Sequence, residues 1–480
     1  MRDYISPTLV IFAVSAALAS PALCQVVLPA PLSLPSPLTL SNAIAIALRH
    51  QPQQYIARDQ ITQAQGQKLQ AQAEYFPVVT PTYQFQNRSQ SVYGQTTGTS
   101  GLSTITVPTT GGTGIGTTGT GTSFNNSVSE VNAIRGGGLS VSLNQNLYDG
   151  GKREAANAEA RHGVDAADFN NVNTRQTAIL TVTQEYYQLL LQLDLVKVAQ
   201  AQVTRYQQTV DVTQAQIDAG TVAAKDIFQA RSDLANAQVT QLQDQNQVQL
   251  ASATLKNALG VATDAPVQPA LLTSGDDLPP LPTPGTATTF DAALATAYVN
   301  RPDLRQQQAT VESQNAALQQ ARREAGFTVS SDYVLTYQAT NDIGARGLDS
   351  QLLVTGSYPL FDAGSARGAV HVAQANRDIA QNQLEQVRQQ IRLEVEQSYN
   401  TRATNLQATG LAQAAVTAAQ VNYDSAVAAR REGIGTVLDI TTAQATLTQA
   451  QNQYVTAVYN FYIADAQLQR ALGRNDVGVR

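Results

Sequence analysis

A catalytic or metal site in this chain would have to be assembled from three histidines, one cysteine and 36 side-chain carboxylates. Their spacing assembles none. His50, His162 and His371 lie far apart, with no His-Glu-x-x-His pair to bring two imidazoles onto one helix face. Cys24 stands alone, so neither a thiolate cluster nor an internal disulfide is available. The Gly-rich run from Gly94 to Thr122 lacks the Gly-Lys-Ser/Thr ending of a phosphate loop, and no serine has the setting of a nucleophile elbow. The expectation is a protein that is not an enzyme and carries no cofactor and no metal. The aspartates that do recur in a pattern stand beside glycines. Asp149 and Gly151 are matched by Asp362 and Gly364, and Gly220 and Asp226 by Gly433 and Asp439. Such carboxylates have helix-terminus chemistry: they accept N–H groups of the first turn and offset the positive end of the macrodipole. Asp149 and Asp362 read as N-caps, Asp226 and Asp439 as first-turn acids, and Gly220 and Gly433 as left-handed helix ends.

Caps on this scale need long helices, and the composition suits them. There is no Trp, aromatics are 6% and charged residues 14% of 480, well below the charged share of an ordinary soluble domain. Ala, Gln, Thr and Asn dominate, which favours helices packed closely through small side chains. The formal net charge is −6 and no basic stripe is present, so nucleic acid is not an expected partner. Arg2, the apolar run from Leu9 to Leu18 and the small residues after it read as an export signal over 1–24. Cleavage within the Ala17-Leu18-Ala19 region or after Cys24 both fit, and Leu23 before Cys24 argues against lipidation there. No other stretch approaches about 18 apolar residues, so a membrane crossing would require β-strands closed into a barrel.

The elements that position these residues are written twice. At an offset of 213, Asp149 meets Asp362, Gly151 meets Gly364, Val182 meets Val395, Tyr186 meets Tyr399, Gly220 meets Gly433 and Asp226 meets Asp439. Nearer the start of each half the offset is 250, where Ala43, Ala47 and Pro52 meet Ala293, Ala297 and Pro302. The difference of 37 residues falls in the Gly/Thr-rich loop within 87–135, a composition that cannot pack a core. The expected organisation is a first repeat over 25–265, a Pro-rich linker over 266–289, a second repeat over 290–473 and a tail over 474–480. Each repeat should hold a short helix ending before Pro52 or Pro302, a second helix to about Glu74 or Glu324, two strands, a very long helix, a Gly break and another long helix.

Ile179, Val182, Tyr186, Leu189, Leu193 and Val196 step by three and four, as do the residues from Ile440 to Ala471. A 3.5-residue period held this long means coiled-coil packing. In the strands, Leu139, Val141 and Leu143 alternate with Ser140, Ser142 and Asn144, and Tyr333, Leu335 and Tyr337 alternate with Val334, Thr336 and Gln338. One greasy and one polar face is what a lipid-facing, water-lined barrel requires. Two hairpins give four strands, too few to close a barrel, whereas three chains give twelve.

The duplicated corners Leu147-Tyr148-Asp149-Gly150-Gly151 and Leu360-Phe361-Asp362-Ala363-Gly364, the tips Gly220…Asp226 and Gly433…Asp439, and the Ala-Leu-Gly ending of each half make the chain resemble the TolC family of outer-membrane efflux proteins along its mature length. The resemblance implies a mainly α protein with a membrane β-barrel. In that plan a homotrimer forms a 12-stranded barrel in outer-membrane lipid, four strands per chain, continuous with a coiled-coil α-barrel in the periplasm. It also implies docking to a periplasmic adaptor protein and an inner-membrane transporter of RND or ABC type. By the same resemblance the Gly94–Thr122 loop lies outside the cell, the tips Gly220 and Gly433 contact the adaptor, and Asp439 rings the periplasmic entrance. A second acid found in some relatives is Thr442 here. Asp226 is the repeat partner of Asp439 and reads first as a helix-start acid. Arg430 could tie a closed tip, although a solvated face is the plainer reading of it.

The functional expectation is an exit duct for efflux or secretion. The competing reading is a periplasmic coiled-coil adaptor or scaffold without a barrel, which accounts for the heptads but not for duplicated strand hairpins.

Overall fold

The computed structural model describes residues 35–90, 132–220, 222–261, 267–272, 277–283, 289–340, 346–432 and 434–474. The export signal, the Gly94–Thr122 loop, Gly433 and residues 475–480 fall outside the described residues, as do parts of the 266–289 linker. The chain runs α1 (Leu40–His50), α2 (Pro52–Ala73), β1 (Val78–Gln90), β2 (Asn132–Tyr148), α3 (Lys152–Asp218) and α4 (Asp226–Leu259). It then runs α5 (Phe290–Asn300), α6 (Pro302–Arg323), β3 (Thr328–Thr340), β4 (Arg346–Ser357), α7 (Ser365–Arg431) and α8 (Val437–Ala471). α3 and α7 each have 67 residues, on the order of 100 Å at 1.5 Å per residue.

Local chemistry sets the breaks. Pro52 and Pro302 open α2 and α6, where a missing N–H costs nothing, and they force Gln51 and Arg301 into extended backbone with ψ of 125° and 123°. α1 and α5 therefore stop at those points. α4 and α8 run out at Gly260 and Gly473, with φ of 71° and 70°. A Cβ on Gly260 would stand 2.7 Å from the Gln51 Cα, and one on Gly473 would stand 2.7 Å from the Asn300 carbonyl carbon. So α4 abuts the start of α2 and α8 abuts the start of α6, and only glycine permits that approach.

The core is a seam between rods. Tyr186, Leu189 and Leu190 of α3 pack with Leu255 and Leu259 of α4, Val455 and Tyr459 of α8, and Ala43 and Ala47 of α1. Tyr186 Oη donates to the carbonyls of Leu38 and Ala270, both at 3.1 Å, and Tyr454 Oη donates to that of Pro279 at 2.7 Å, pinning linker segments against the long helices. The heptad stripe of α8 is buried at Ala443, Leu447, Ala450, Tyr454, Phe461, Ala464, Leu468 and Ala471. Val455, Val458, Tyr459 and Ala466 form a further buried set. α8 packs on both α3 and α7, so it needs a broader apolar surface than one seam.

The strands form a single antiparallel sheet in the order β1-β2-β3-β4. Pro77 and Pro359 lie just outside β1 and β4, while Pro81 lies inside β1, which is an edge strand within the chain.

Candidate functional site

Residues facing each other across an antiparallel pair share a face, so the register sorts the sheet into two surfaces. One row joins Val79, Leu143, Tyr333 and Leu352, and another joins Tyr83, Leu139, Tyr337 and Leu348. Between these lie rows such as Thr80, Ser142, Val334 and Gln351, and Thr82, Ser140, Thr336 and Asp349. Asn144 Nδ2 reaches the Asp332 carboxylate across β2 and β3, on the polar surface. The apolar side chains are exposed: Tyr83 is 70% and Leu348 69% accessible. An apolar surface of this extent facing water would be untenable; facing lipid it is required.

Each hairpin hands over to a long helix through a strained corner. The Asp149 carboxylate accepts from the Gly151 N–H at 3.1 Å and the Arg153 N–H at 3.0 Å, and Asp362 accepts likewise from Gly364 at 2.9 Å and Ala366 at 2.7 Å. Neither aspartate is the N-cap residue, which corrects the sequence expectation. The caps are Gly151 and Gly364 in left-handed backbone, φ 86° and 90°. The chain turns so sharply from strand to helix that two successive positive-φ residues are needed, and the aspartate does its capping from two positions upstream. Backbone N–H donors hold the Asp362 carboxyl below the usual carboxylate range.

The corners differ in one side chain that sequence reasoning passed over. Arg153 is buried, donates Nε to Asp149 at 2.9 Å and Nη1 to the Asn146 carbonyl at 2.8 Å, and lies 5.1 Å over the Tyr75 ring. It fastens the ends of α2 and β2 to the start of α3. At the matching position the second corner has Ala366.

At the far ends of the helices, Gly220 follows α3 with φ 74°, and its N–H donates to the Ile217 carbonyl at 2.9 Å, the expected left-handed helix end. Asp226 is the first residue of α4. Asp439 lies in the first turn of α8 in a capping box: its Oδ2 accepts from the Thr436 N–H at 2.8 Å and hydroxyl at 2.7 Å, while its own N–H donates to Thr436 Oγ1 at 3.2 Å. Those bonds from Thr436 depress the Asp439 pKa, so an exposed negative charge is held there. Thr442 is exposed less than one turn further on. Arg430 is not the solvated cation of the plainer reading. It is half-buried and donates to the Gly435 carbonyl at 3.1 Å and to Gln216 of α3, so it joins the α7–α8 turn to the other helical hairpin.

Two buried charge networks also had no sequence signal, because their partners are far apart in the chain. Tyr459 Oη donates to Asp194 at 2.6 Å across 265 residues. Arg301 pairs with Asp303 and, at 2.6 Å, with Glu394. Burial opposes the Arg301 charge, but those two carboxylates outweigh it and raise its pKa. Among the described residues no cluster of His, Cys, Asp or Glu could hold a metal ion, and no helix is long and apolar enough to cross a membrane.

A sheet greasy on one surface and wet on the other, fed by rods far longer than a bilayer is thick, defines a channel subunit of the outer-membrane kind. The model of the outer membrane efflux protein family matches residues 43–261 and 293–474, and the chain belongs to that family. Outer membrane protein TolC of Escherichia coli K12 is 24% identical over 365 residues, 73% of this chain and 72% of that one. Outer membrane efflux protein BepC of Brucella suis is 24% identical over 349 residues, 70% of this chain and 72% of its own length. The outer membrane protein VceC of Vibrio cholerae superposes with a TM-score of 0.72 at 19% identity, covering 91% of this chain and 96% of that one. By its family, this chain is an outer-membrane efflux duct protein.

Proposed function

We propose that the chain is one third of a homotrimeric exit duct whose twelve strands close a barrel through the outer membrane. The observation that carries this is the four-stranded sheet with two open edges and an exposed apolar surface. Unpaired edge groups are untenable in lipid, and three copies remove every edge. In this reading the two halves, with their offsets of 213 and 250, are an internal repeat that gives the trimer a near six-fold plan. The long helices then form a coiled-coil barrel through the periplasm, and the tips around Gly220 and Gly433 meet a periplasmic adaptor coupled to an inner-membrane transporter of RND or ABC type. The cargo is a small toxic molecule or a polypeptide driven by that partner. The adaptor-or-scaffold alternative is disfavoured by the sheet.

Asp439, three times around the axis, would focus a negative field at the entrance. Thr442, Asp226 and Arg430 are its neighbours in that gate, and Arg430 braces the turn that carries Asp439. The test is the mass of the purified protein in detergent and its conductance in a planar bilayer. Three chains and an ion-conducting pore are expected; a monomer without conductance would refute the duct. In the conducting protein, Asp439→Asn should weaken block by multivalent cations, and unchanged block would remove Asp439 from the gate.

A further inference from the structure

We propose that the water-lined surface of the sheet favours one class of cargo, organic cations with an apolar body, and that Asp332 and Asp349 are its specificity-determining residues. This rests on the duct reading above and names what such a duct passes most readily.

Charge on that surface is one-sided. Side chains of the sheet are described over 78–85, 137–148, 328–338 and 347–357, and those stretches hold no Lys, Arg or His. Their carboxylates are Asp332 and Asp349, and the register puts both on the polar surface. Asn144 Nδ2 donates to Asp332, and among the described residues neither acid has an ion-pair partner. A carboxylate accepts about four hydrogen bonds, so one amide leaves Asp332 open to a passing cation. Arg135 and Arg346 stand an odd number of residues from Ser140 and Asp349, and Arg88 stands six residues, about 20 Å, beyond Thr82. Physiological salt screens exposed charges over about 8 Å, so the field at Asp332 stays negative.

The same surface is not uniformly polar. Val78, Asn144, Asp332 and Leu353 form one row, and Val334 lies in the next. Val78 is 60% and Leu353 52% exposed, although they share the water-lined side. The rows further out, Thr82 with Ser140, Thr336 and Asp349, and Gln84 with Gly138, Gln338 and Gly347, have no apolar side chain. Apolar surface is therefore gathered around Asp332, at the end of the sheet next to the long helices. Leu353 faces Asp332 directly, about 5 Å away between Cβ atoms, and Val334 lies two residues along, about 7 Å away. An inorganic cation gains nothing from Leu353 and Val334, an anion is repelled by Asp332, and a neutral apolar solute gains nothing from the carboxylate. A cation with an apolar body gains from both. Asp349 lies four residues further out, about 13 Å along the strand, and carries the negative field towards the exit.

The experiment is the reversal potential of the full-length protein in a planar bilayer, under a gradient of tetrabutylammonium chloride and, separately, of tetramethylammonium chloride. Concentrations of about 10 to 100 mM let exposed charges act over about 30 to 10 Å. All measurements use the Asp439→Asn background, which takes the entrance acid out of the comparison. Relative to mobility in free solution, the pore should favour tetrabutylammonium over tetramethylammonium, and both over chloride. Asp332→Asn should lower the cation-to-chloride permeability ratio about threefold, the Boltzmann factor for unit charges about 6 Å apart in water, and Asp349→Asn should act in the same direction. Leu353→Ser should lower the tetrabutylammonium ratio about threefold, the effect of covering about 25 Å² of apolar surface, and the tetramethylammonium ratio much less. In about 1 M salt, where screening acts within about 3 Å, the effect of both acids should vanish, which separates loss of field from loss of fold. A conducting pore in which the asparagine variants keep the parent ratio, or which treats the two ammonium ions alike, overturns the cargo class and leaves the duct standing. A protein that carries no current overturns both.

Discussion

α3 and α7 have the same length and begin 213 positions apart, yet they occupy different surroundings. α3 buries sixteen of its residues within the chain and α7 only five. The side chains agree with this. Where α3 has Leu189-Leu190-Leu191 against α1 and α8, the matching stretch of α7 is Arg402-Ala403-Thr404. The corners that lead into the two helices differ in the same way. The first is cross-braced by Arg153 and covered by α6; the second keeps the turn but neither brace nor cover. One backbone plan has thus been used once for an internal joint and once for a corner left exposed within the chain.

The comparison breaks most readily at Arg153. Arg153→Ala leaves the Asp149 carboxylate buried and unpaired, and should cost about 3–5 kcal/mol. Installing the brace at the matching site, Ala366→Arg, should change stability by about 0.5 kcal/mol or less. Unfolding in detergent measures both, and equal losses would refute the asymmetry.

Glycines sharpen the contrast at a smaller scale. Gly473→Ala combines left-handed strain of about 1–2 kcal/mol with a clash against Asn300 and Arg301 worth about 1–3 kcal/mol. Gly220→Ala has the strain but open space around it, so only the first cost should appear in the same unfolding measurement.

The smallest effect is that of pH on the exposed corner. Backbone donors depress the Asp362 pKa, so the folded value lies below the unfolded one. The resulting stabilisation is fully present above the unfolded value, about 4, and is lost as pH falls through the folded value. Hydrogen exchange at the start of α7 should therefore be flat from neutral pH to about 5, once corrected for intrinsic rates, and should speed up in more acid solution. Asp362→Asn should abolish that acid dependence.

Much of the plan was legible in the residues. Pro52 and Pro302 marked helix starts, the alternation from Leu139 to Asn144 marked a two-faced strand, and the heptads after Ile179 and Ile440 marked rods. These are local signals: a missing N–H or a period of two or 3.5 acts over a few residues. The corner caps were misplaced by two residues because a left-handed pair of residues leaves no mark in composition beyond its glycines. Asp194–Tyr459 and Arg301–Glu394 were invisible because their members are 265 and 93 residues apart and carry no spacing rule.

Sequence alone, then, determined which segments are helix and strand and which strand face is greasy, because backbone sterics and side-chain period are local. Only the tertiary structure decided that Arg153 is a buried brace, that α8 is packed on two sides and that the first corner is covered while the second is bare. Those outcomes depend on which rods lie side by side, and burial is a property of neighbours rather than of the residue itself.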